Sequence, residues 1–311
     1  MIIIPKDMYG QRIDVVLAQL FPDYSRSQLS QWLKDGKITV NEQQLKPKDK
    51  VLGGELINFT INLDEDIHTT IEPEAIPLDI VFEDNEFMVI NKPADFVVHP
   101  GAGNWTHTLV NALLHYNPAL AALPRAGIIH RLDKDTTGLL IIAKTLTAHT
   151  YLTRLMQARQ IKRRYLALVQ GHVIARGEIS TLYGRHPHNR LKMAVCAQGK
   201  EAITHFSIHK QYTYYTLLDV ELLTGRTHQI RVHMAYIKHP IVGDPLYGTR
   251  MRLPPEASSE LISALQQFKR QALHAKTLSL VHPTNQQLLT FEAALPDDFN
   301  HLLTLLDNYI E

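Results

Sequence analysis

His130-Arg131-Leu132-Asp133-Lys134-Asp135-Thr136-Thr137-Gly138-Leu139-Leu140 is the stretch on which the reading of this chain turns. Its first part is charged and runs into Thr-Thr-Gly, the chemistry of a turn. Its end opens an apolar run, Leu139 to Ala143, that is short enough to be a strand. The segment therefore sets a carboxylate, Asp133, in a polar loop immediately before a strand. On residue chemistry alone, an Asp followed by Thr-Thr-Gly is more often a turn or cap residue than a catalyst.

The surroundings of that strand argue for an α+β domain. Leu78–Phe82 and Phe87–Ile90 are strand-like runs joined by Glu83-Asp84-Asn85-Glu86, which predicts a hairpin. Ala148, Tyr151, Leu152, Leu155 and Met156 fall on one face of a helix over 148–156, and this leads into a strand over 164–169. Tyr212–Leu223 and Lys276–Val281 are further strands. A helix over 227–237, with Ile230, Met234 and Ile237 inward, would set His228 and Arg231 one turn apart on a common face. Strands outnumber helices without strict strand-helix alternation, so residues 78–311 are expected to be built on a largely antiparallel mixed sheet.

The amino-terminal residues form a separate module. Ile13, Val16, Leu17, Leu20 and Phe21 mark one helix. A second starts at a capping box, Ser25 with Gln28, buries Leu29, Trp32 and Leu33, and stops at Gly36. Strands follow at Ile38–Val40 and Leu56–Ile61, with the turn pair Gly53-Gly54 before the latter. These observations predict a compact domain over 1–62, an acidic linker over 63–77 containing Pro73 and Pro77, and the larger domain beyond.

Composition excludes several classes. The single cysteine, Cys196, permits neither an intramolecular disulfide nor a Cys-rich zinc cluster, which suits a reducing, cytoplasmic setting. No apolar run approaches the roughly 20 residues of a membrane span, and no secretory leader is read at the amino terminus. The histidines are scattered, so no metal site is expected, and none of the phosphate-loop, nucleophile-elbow or zinc-protease motifs occurs. The net charge of +1 hides polarisation: Val51–Asn91 holds ten acidic residues and no Lys or Arg, whereas Thr136–Lys200 holds eleven basic residues and one acidic. Such a basic block suits a polyanion, because neutralising phosphates releases counterions, and it suits a solvated surface about equally.

The segment His130–Leu139 resembles the HRLDxxT[ST]G signature of the RluA-type pseudouridine synthases, and four other segments follow in that family's order. These are Asn91-Lys92-Pro93-Ala94-Asp95-Phe96-Val97-Val98-His99-Pro100-Gly101, with Asp95 where Gly is usual; Lys162-Arg163-Arg164-Tyr165; Leu223-Thr224-Gly225-Arg226-Thr227-His228-Gln229-Ile230-Arg231-Val232-His233; and Gly243-Asp244-Pro245-Leu246-Tyr247-Gly248. A last mark is Gln271-Ala272-Leu273-His274-Ala275, while the order of helices and strands in residues 1–62, with Ser25-Arg26-Ser27 and Asp35-Gly36, resembles the S4 RNA-binding domain.

The resemblance implies the pseudouridine synthase fold and an isomerase that needs no cofactor. It implies Asp133 as the catalytic carboxylate, Tyr165 as the active-site tyrosine and Arg231 as the cation paired with Asp133. Asp133 must be ionised beside an extruded base, and a cation within about 4–6 Å favours that form. Tyr165 offers an aromatic face to uracil, Arg131 could fill the gap left by the base, and Lys162, Arg163 and Arg164 could grip the RNA backbone. His130, Arg226 and His228 join the expected RNA-contacting set, as do Arg26, Lys34 and Lys37 of the small domain. The segments Phe21–Ser27, Pro124–Ile128 and Asp133–Leu139 resemble the family's large-subunit members. That likeness implies 23S ribosomal RNA or a large-subunit precursor as partner, helix 69 as target, and a monomer without membrane attachment. Other rRNA or tRNA targets, a non-catalytic assembly factor, and a metal-dependent phosphodiesterase using Asp133, Asp135 and histidines remain as other readings.

Overall fold

The computed structural model describes residues 2–21, 26–60, 71–101 and 104–309, without the side chains of Ser27 and Gln28. The chain divides into two compact units, Met1–Ile71 and Glu72–Glu311.

In the small unit, β1 (Ile2–Ile3), α1 (Ile13–Leu20), α2 (Arg26–Lys34), β2 (Ile38–Val40) and β3 (Leu56–Phe59) follow in order. The strands form an antiparallel sheet in the order β1-β3-β2. Leu29, Trp32 and Leu33 of α2 are buried with Ile13, Val16 and Leu17 of α1 and with Ile38, Val40 and Ile57 of the sheet. Each large aliphatic side chain so buried contributes about 1.5–3 kcal/mol. Helix α2 stops at Gly36, whose φ of 72° belongs to the left-handed region, and Lys37 N–H closes the end on the Trp32 carbonyl. The capping box expected at Ser25 and Gln28 lies outside the described residues.

The large unit contains β4 (Ile80–Glu83), β5 (Phe87–Lys92), α3 (Leu109–Tyr116), β6 (Thr137–Ala143), α4 (Leu146–Gln157), β7 (Lys162–Gln170), β8 (Gly177–Arg185) and β9 (Met193–Val195). After these come β10 (Lys200–Gln211), β11 (Tyr215–Leu222), α5 (Gln229–Tyr236), α6 (Ser259–Gln267), β12 (Leu273–Val281), β13 (Leu288–Glu292) and α7 (Asp297–Asp307). One sheet runs β4-β5-β6-β12-β7-β11-β10-β8-β9, with β13 added to β12. Every pairing in it is antiparallel except β6 with β12, in keeping with the α+β expectation. The expected hairpin forms between β4 and β5, and Asp84 Oδ1 organises its turn by accepting the N–H groups of Glu86 and Phe87.

The apolar run of β6 is unbroken because both of its faces are covered. Leu140 and Ile142 pack in the cluster that holds Leu109 and Leu113 of α3, while Leu139, Ile141 and Ala143 pack with Ala148 and Leu152 of α4. Strands β6 and β12 pair only at Thr137↔His274 and Gly138↔Ala275, after which β12 continues with β13. The backbones meet there at a residue without a side chain: Gly138 has φ 109°, and a Cβ on it would lie 2.3 Å from the Ala275 carbonyl oxygen. The Asp133 loop enters the sheet at this junction.

The stretch expected to be a linker over 63–77 belongs to the large unit from Glu72 onward. Asn111 of α3 accepts Glu74 N–H with its carbonyl and donates its side-chain amide to the Glu72 carbonyl, and Ile76 packs against the core. Charge and proline mark the segment as a spacer, but from Glu72 onward the backbone groups of Glu72 and Glu74 find partners on the domain.

Candidate active site

The loop before β6 is tied down almost atom by atom. Asp133 C=O accepts Thr136 N–H in a tight turn, and Lys134 C=O accepts Phe96 N–H. Lys92, buried at the end of β5, donates Nζ to the carbonyls of Pro93 (2.7 Å), Phe96 (2.9 Å) and Lys134 (2.7 Å). Burial pulls its pKa down to about 7 against the opposing pull of Asp135 and Asp133. Just before β12, Gln271 Nε2 donates to Thr136 Oγ1 at 2.9 Å, and within it His274 Nδ1 lies 2.8 Å from Thr137 Oγ1. Arg270 holds the Asp298 carboxylate of α7 with two bonds of 2.7 Å and reaches the Asp135 carbonyl at 3.3 Å.

Against this fixed loop, α5 delivers a guanidinium. Arg231 Nη1 donates to Asp133 Oδ2 at 3.0 Å, while its Nε and Nη2 form a fork on Asp244 at 2.7 and 2.9 Å. Burial alone would raise the pKa of Asp244, but Arg231 and the backbone N–H groups of Leu246 and Tyr247 outweigh it and hold the group below the ordinary carboxylate range. The two carboxylates likewise raise Arg231 above its ordinary value despite its burial. One cation thus serves two anions. Asp133 Oδ1 is left with no hydrogen-bond partner among the described residues, and His228 Nε2 stands 3.9 Å from it.

Tyr165 of β7 is buried, and its phenol makes no hydrogen bond among the described residues. Burial raises its pKa, and the Asp133 charge raises it further while Arg163 opposes. A buried tyrosine in the field of an uncommitted carboxylate oxygen, which is itself backed by a shared arginine, is an arrangement fitted to proton transfer or nucleophilic attack.

The sequence profile described as RNA pseudouridylate synthase matches residues 86–236, and that of the S4 domain matches residues 11–57. Ribosomal large subunit pseudouridine synthase D of Pasteurella multocida is 52% identical over 298 residues, covering 96% of this chain and 91% of that protein. The protein of the same description from Escherichia coli strain K12 is 49% identical over 304 residues, covering 97% and 93%. This chain belongs to the pseudouridine synthase family. Among solved structures, human RNA pseudouridylate synthase domain containing 1 aligns with a TM-score of 0.56 at 27% identity, covering 75% of this chain and 89% of that one. The isomerase fold expected from the sequence is therefore the fold observed.

The synthase does not use all the expected RNA-contacting side chains alike. Strand pleating separates Lys162-Arg163-Arg164: Lys162 and Arg164 are exposed, whereas Arg163 turns inward with Tyr165 and donates weakly to the Leu222 carbonyl at 3.4 Å. Three consecutive strand residues cannot grip one surface. His130 accepts Ile141 N–H on Nε2 at 3.3 Å, and burial drives its pKa down to about 3. Arg131 is exposed, and Arg226 is exposed with Nε on the Glu201 carbonyl at 3.2 Å. In the small unit, Lys34 is exposed, Lys37 is half-buried, and Arg26 spends part of its guanidinium on Asp14 at 2.7 Å. The sequence reading assigned no role to Lys92, Asp244, Tyr247, Arg270, Gln271 or His274. All but Arg270 stand in segments noted for their family likeness, and that was the signal present.

Proposed function

We propose that this synthase converts uridine to pseudouridine in 23S ribosomal RNA, at helix 69 of the large subunit or its precursor, as a cytoplasmic monomer with Asp133 as the reacting carboxylate. The observation that carries the reading is the Asp133–Arg231–Asp244 chain, in which one oxygen of Asp133 is held and the other is uncommitted. Support for the target comes from the relatives of about half identical sequence, whose description names the large ribosomal subunit. No helix of the described residues is long and apolar enough to cross a membrane.

The reaction breaks N1–C1′ of the nucleotide, turns the freed uracil, and joins its C5 to C1′. It adds and removes nothing overall. An extruded uridine, at an unstacking cost of a few kcal/mol, places its ribose at Asp133. The uncommitted Oδ1 then attacks C1′ or takes the C2′ proton, while Arg231 holds Oδ2. Tyr165 lies against the detached base, its phenol oxygen taking the proton that leaves C5 as its own proton passes to solvent, and N1 takes up a proton in return. Arg131, exposed on the same loop, occupies the stack that the base has left, and Arg226, Lys34, Lys37 and the free arms of Arg26 contact phosphates.

Tritium release from rRNA labelled at uracil C5, with and without chelator, tests this. Release in both conditions is expected, and Asp133→Asn is expected to abolish it while RNA binding persists. Undiminished release by that variant would remove Asp133 from the chemistry.

A further inference from the structure

Two side chains in the site have no part in the mechanism above: His228 and Tyr247. His228 stands just before α5 with φ 57° and ψ 20°, a left-handed conformation uncommon for a residue with a Cβ. The turn is held from both sides, because Tyr183 donates its phenol to the Thr227 carbonyl at 2.6 Å and Gln229 Oε1 accepts Arg226 N–H at 3.0 Å. His228 Nδ1 consequently sits 2.8 Å from Tyr247 Oη, and Nε2 faces Asp133 Oδ1 at 3.9 Å.

The protons on this chain can be placed by exclusion. Tyr247 Oη already accepts Met193 N–H at 2.8 Å, so its own proton needs an acceptor, and the one in reach among the described residues is His228 Nδ1. A ring that accepts at Nδ1 carries its proton on Nε2. The Asp133 carboxylate favours the same arrangement, since a bare Nε2 would point a lone pair at an anion. The Tyr247 ring is itself fixed, with the Arg231 guanidinium 5.2 Å from its centroid and its backbone N–H on Asp244 Oδ1. Burial holds the pKa of His228 below its ordinary value, in a setting where Asp133 and Asp244 pull up and Arg231 and Arg131 push down.

We propose that Tyr247 is a positioning residue that fixes His228 as a neutral Nε2–H donor, and that this N–H meets a carbonyl oxygen of the uracil during its detachment. The proposal rests on Asp133 being the reacting carboxylate. When N1–C1′ breaks, the bonding electrons leave with the base, and negative charge spreads to its ring carbonyls. A donor fixed in advance beside that charge stabilises the transition state more than the ground state. The 3.9 Å separation is too long for a hydrogen bond to Asp133, so the N–H remains uncommitted until substrate arrives. An imidazolium there would pair with Asp133 and quench the nucleophile. The opposite tautomer would offer the departing uracil no hydrogen.

Nitrogen-15 NMR of the full-length enzyme labelled at histidine reads the tautomer directly, with the His228 signals assigned by their absence from His228→Gln. The resting enzyme should show a bare Nδ1 and a protonated Nε2, and Tyr247→Phe should mix the two tautomers. Tritium release should then fall about tenfold in kcat with little change in KM, the scale of effect of orienting groups one shell away. His228→Gln offers an amide N–H near the Nε2 position without any tautomer to fix, so in that background Tyr247→Phe should cost nothing more. An Nδ1–H or doubly protonated ring in the resting enzyme would overturn the proposal, as would total inactivity of His228→Gln or equal losses from Tyr247→Phe in both backgrounds. Failure of the Asp133 assignment is separable, because Asp133→Asn reports on it without reference to the ring.

Discussion

The two units of this protein each contain a buried three-membered charge cluster, and the two clusters have opposite composition. In the small unit one carboxylate, Asp14 (side chain 6% exposed), receives Arg12 and Arg26, which are 51% and 50% exposed. In the large unit one guanidinium, Arg231 (7% exposed), receives Asp244 and Asp133, which are 1% and 16% exposed. In both, a buried ion is over-compensated and the surplus charge stays where solvent reaches it. The surplus is positive on the unit whose profile is an RNA-binding domain and negative at the proposed point of chemistry. A one-to-one pair would leave neither an exposed cation for phosphate nor an anionic carboxylate oxygen for reaction.

The largest effect should come from removing the shared guanidinium. Arg231→Met strands Asp244 without its cation in the interior, and breaking a buried pair from one side costs about 3–5 kcal/mol. Denaturant midpoints should fall accordingly, and tritium release should be lost. The pH dependence should change sense as well. Asp244 has a depressed native pKa, so its contribution to stability is present above the ordinary carboxylate range and is lost as pH falls through that native value. In Arg231→Met the stranded carboxylate should make acid less harmful. Full activity in this variant would break the contrast between the clusters.

A smaller and different effect is expected from Arg26→Ala. Asp14 keeps Arg12, so the fold should survive, while affinity for folded rRNA should drop and the salt dependence of binding should weaken by about one unit of slope. An unchanged slope would mean that Arg26 only braces Asp14. The smallest effect belongs to an exposed one-to-one pair, Asp95 with Lys134 at 2.7 Å, where the carboxylate is 81% exposed. Asp95 has φ 56°, which explains why glycine resembles the family pattern better at this position. Asp95→Gly loses a weak surface pair and relieves the backbone, so stability should stay within about 0.5 kcal/mol by thermal unfolding. A large loss would show that the pair holds the Asp133 loop.

Much of this arrangement was legible in the sequence because local periodicity is set by covalent geometry. Helical spacing over 227–237 put His228 and Arg231 on one face; both do turn towards Asp133, but His228 does so from a left-handed residue just before α5 and not from the helix. The turn expected at Thr-Thr-Gly falls earlier, where the Asp133 carbonyl accepts Thr136 N–H, and Thr137 and Gly138 already belong to β6. Strand alternation likewise separates Arg163 from Lys162 and Arg164 within the basic run, because successive strand residues face opposite sides. The inward turn of His130 had no such signal, because its partner is a backbone N–H on a neighbouring strand.

Residue order and polarity by themselves determined where strands, helices and turns lie and singled out Asp133 as a candidate. Only the tertiary structure decided that Arg231, 98 positions away, would hold Asp133 and Asp244 together, and that Tyr247 would orient His228. The physical reason is range: spacing along the chain governs neighbours within a turn or a pleat, whereas the pairing of buried charges depends on which groups lose water together when the sheet closes.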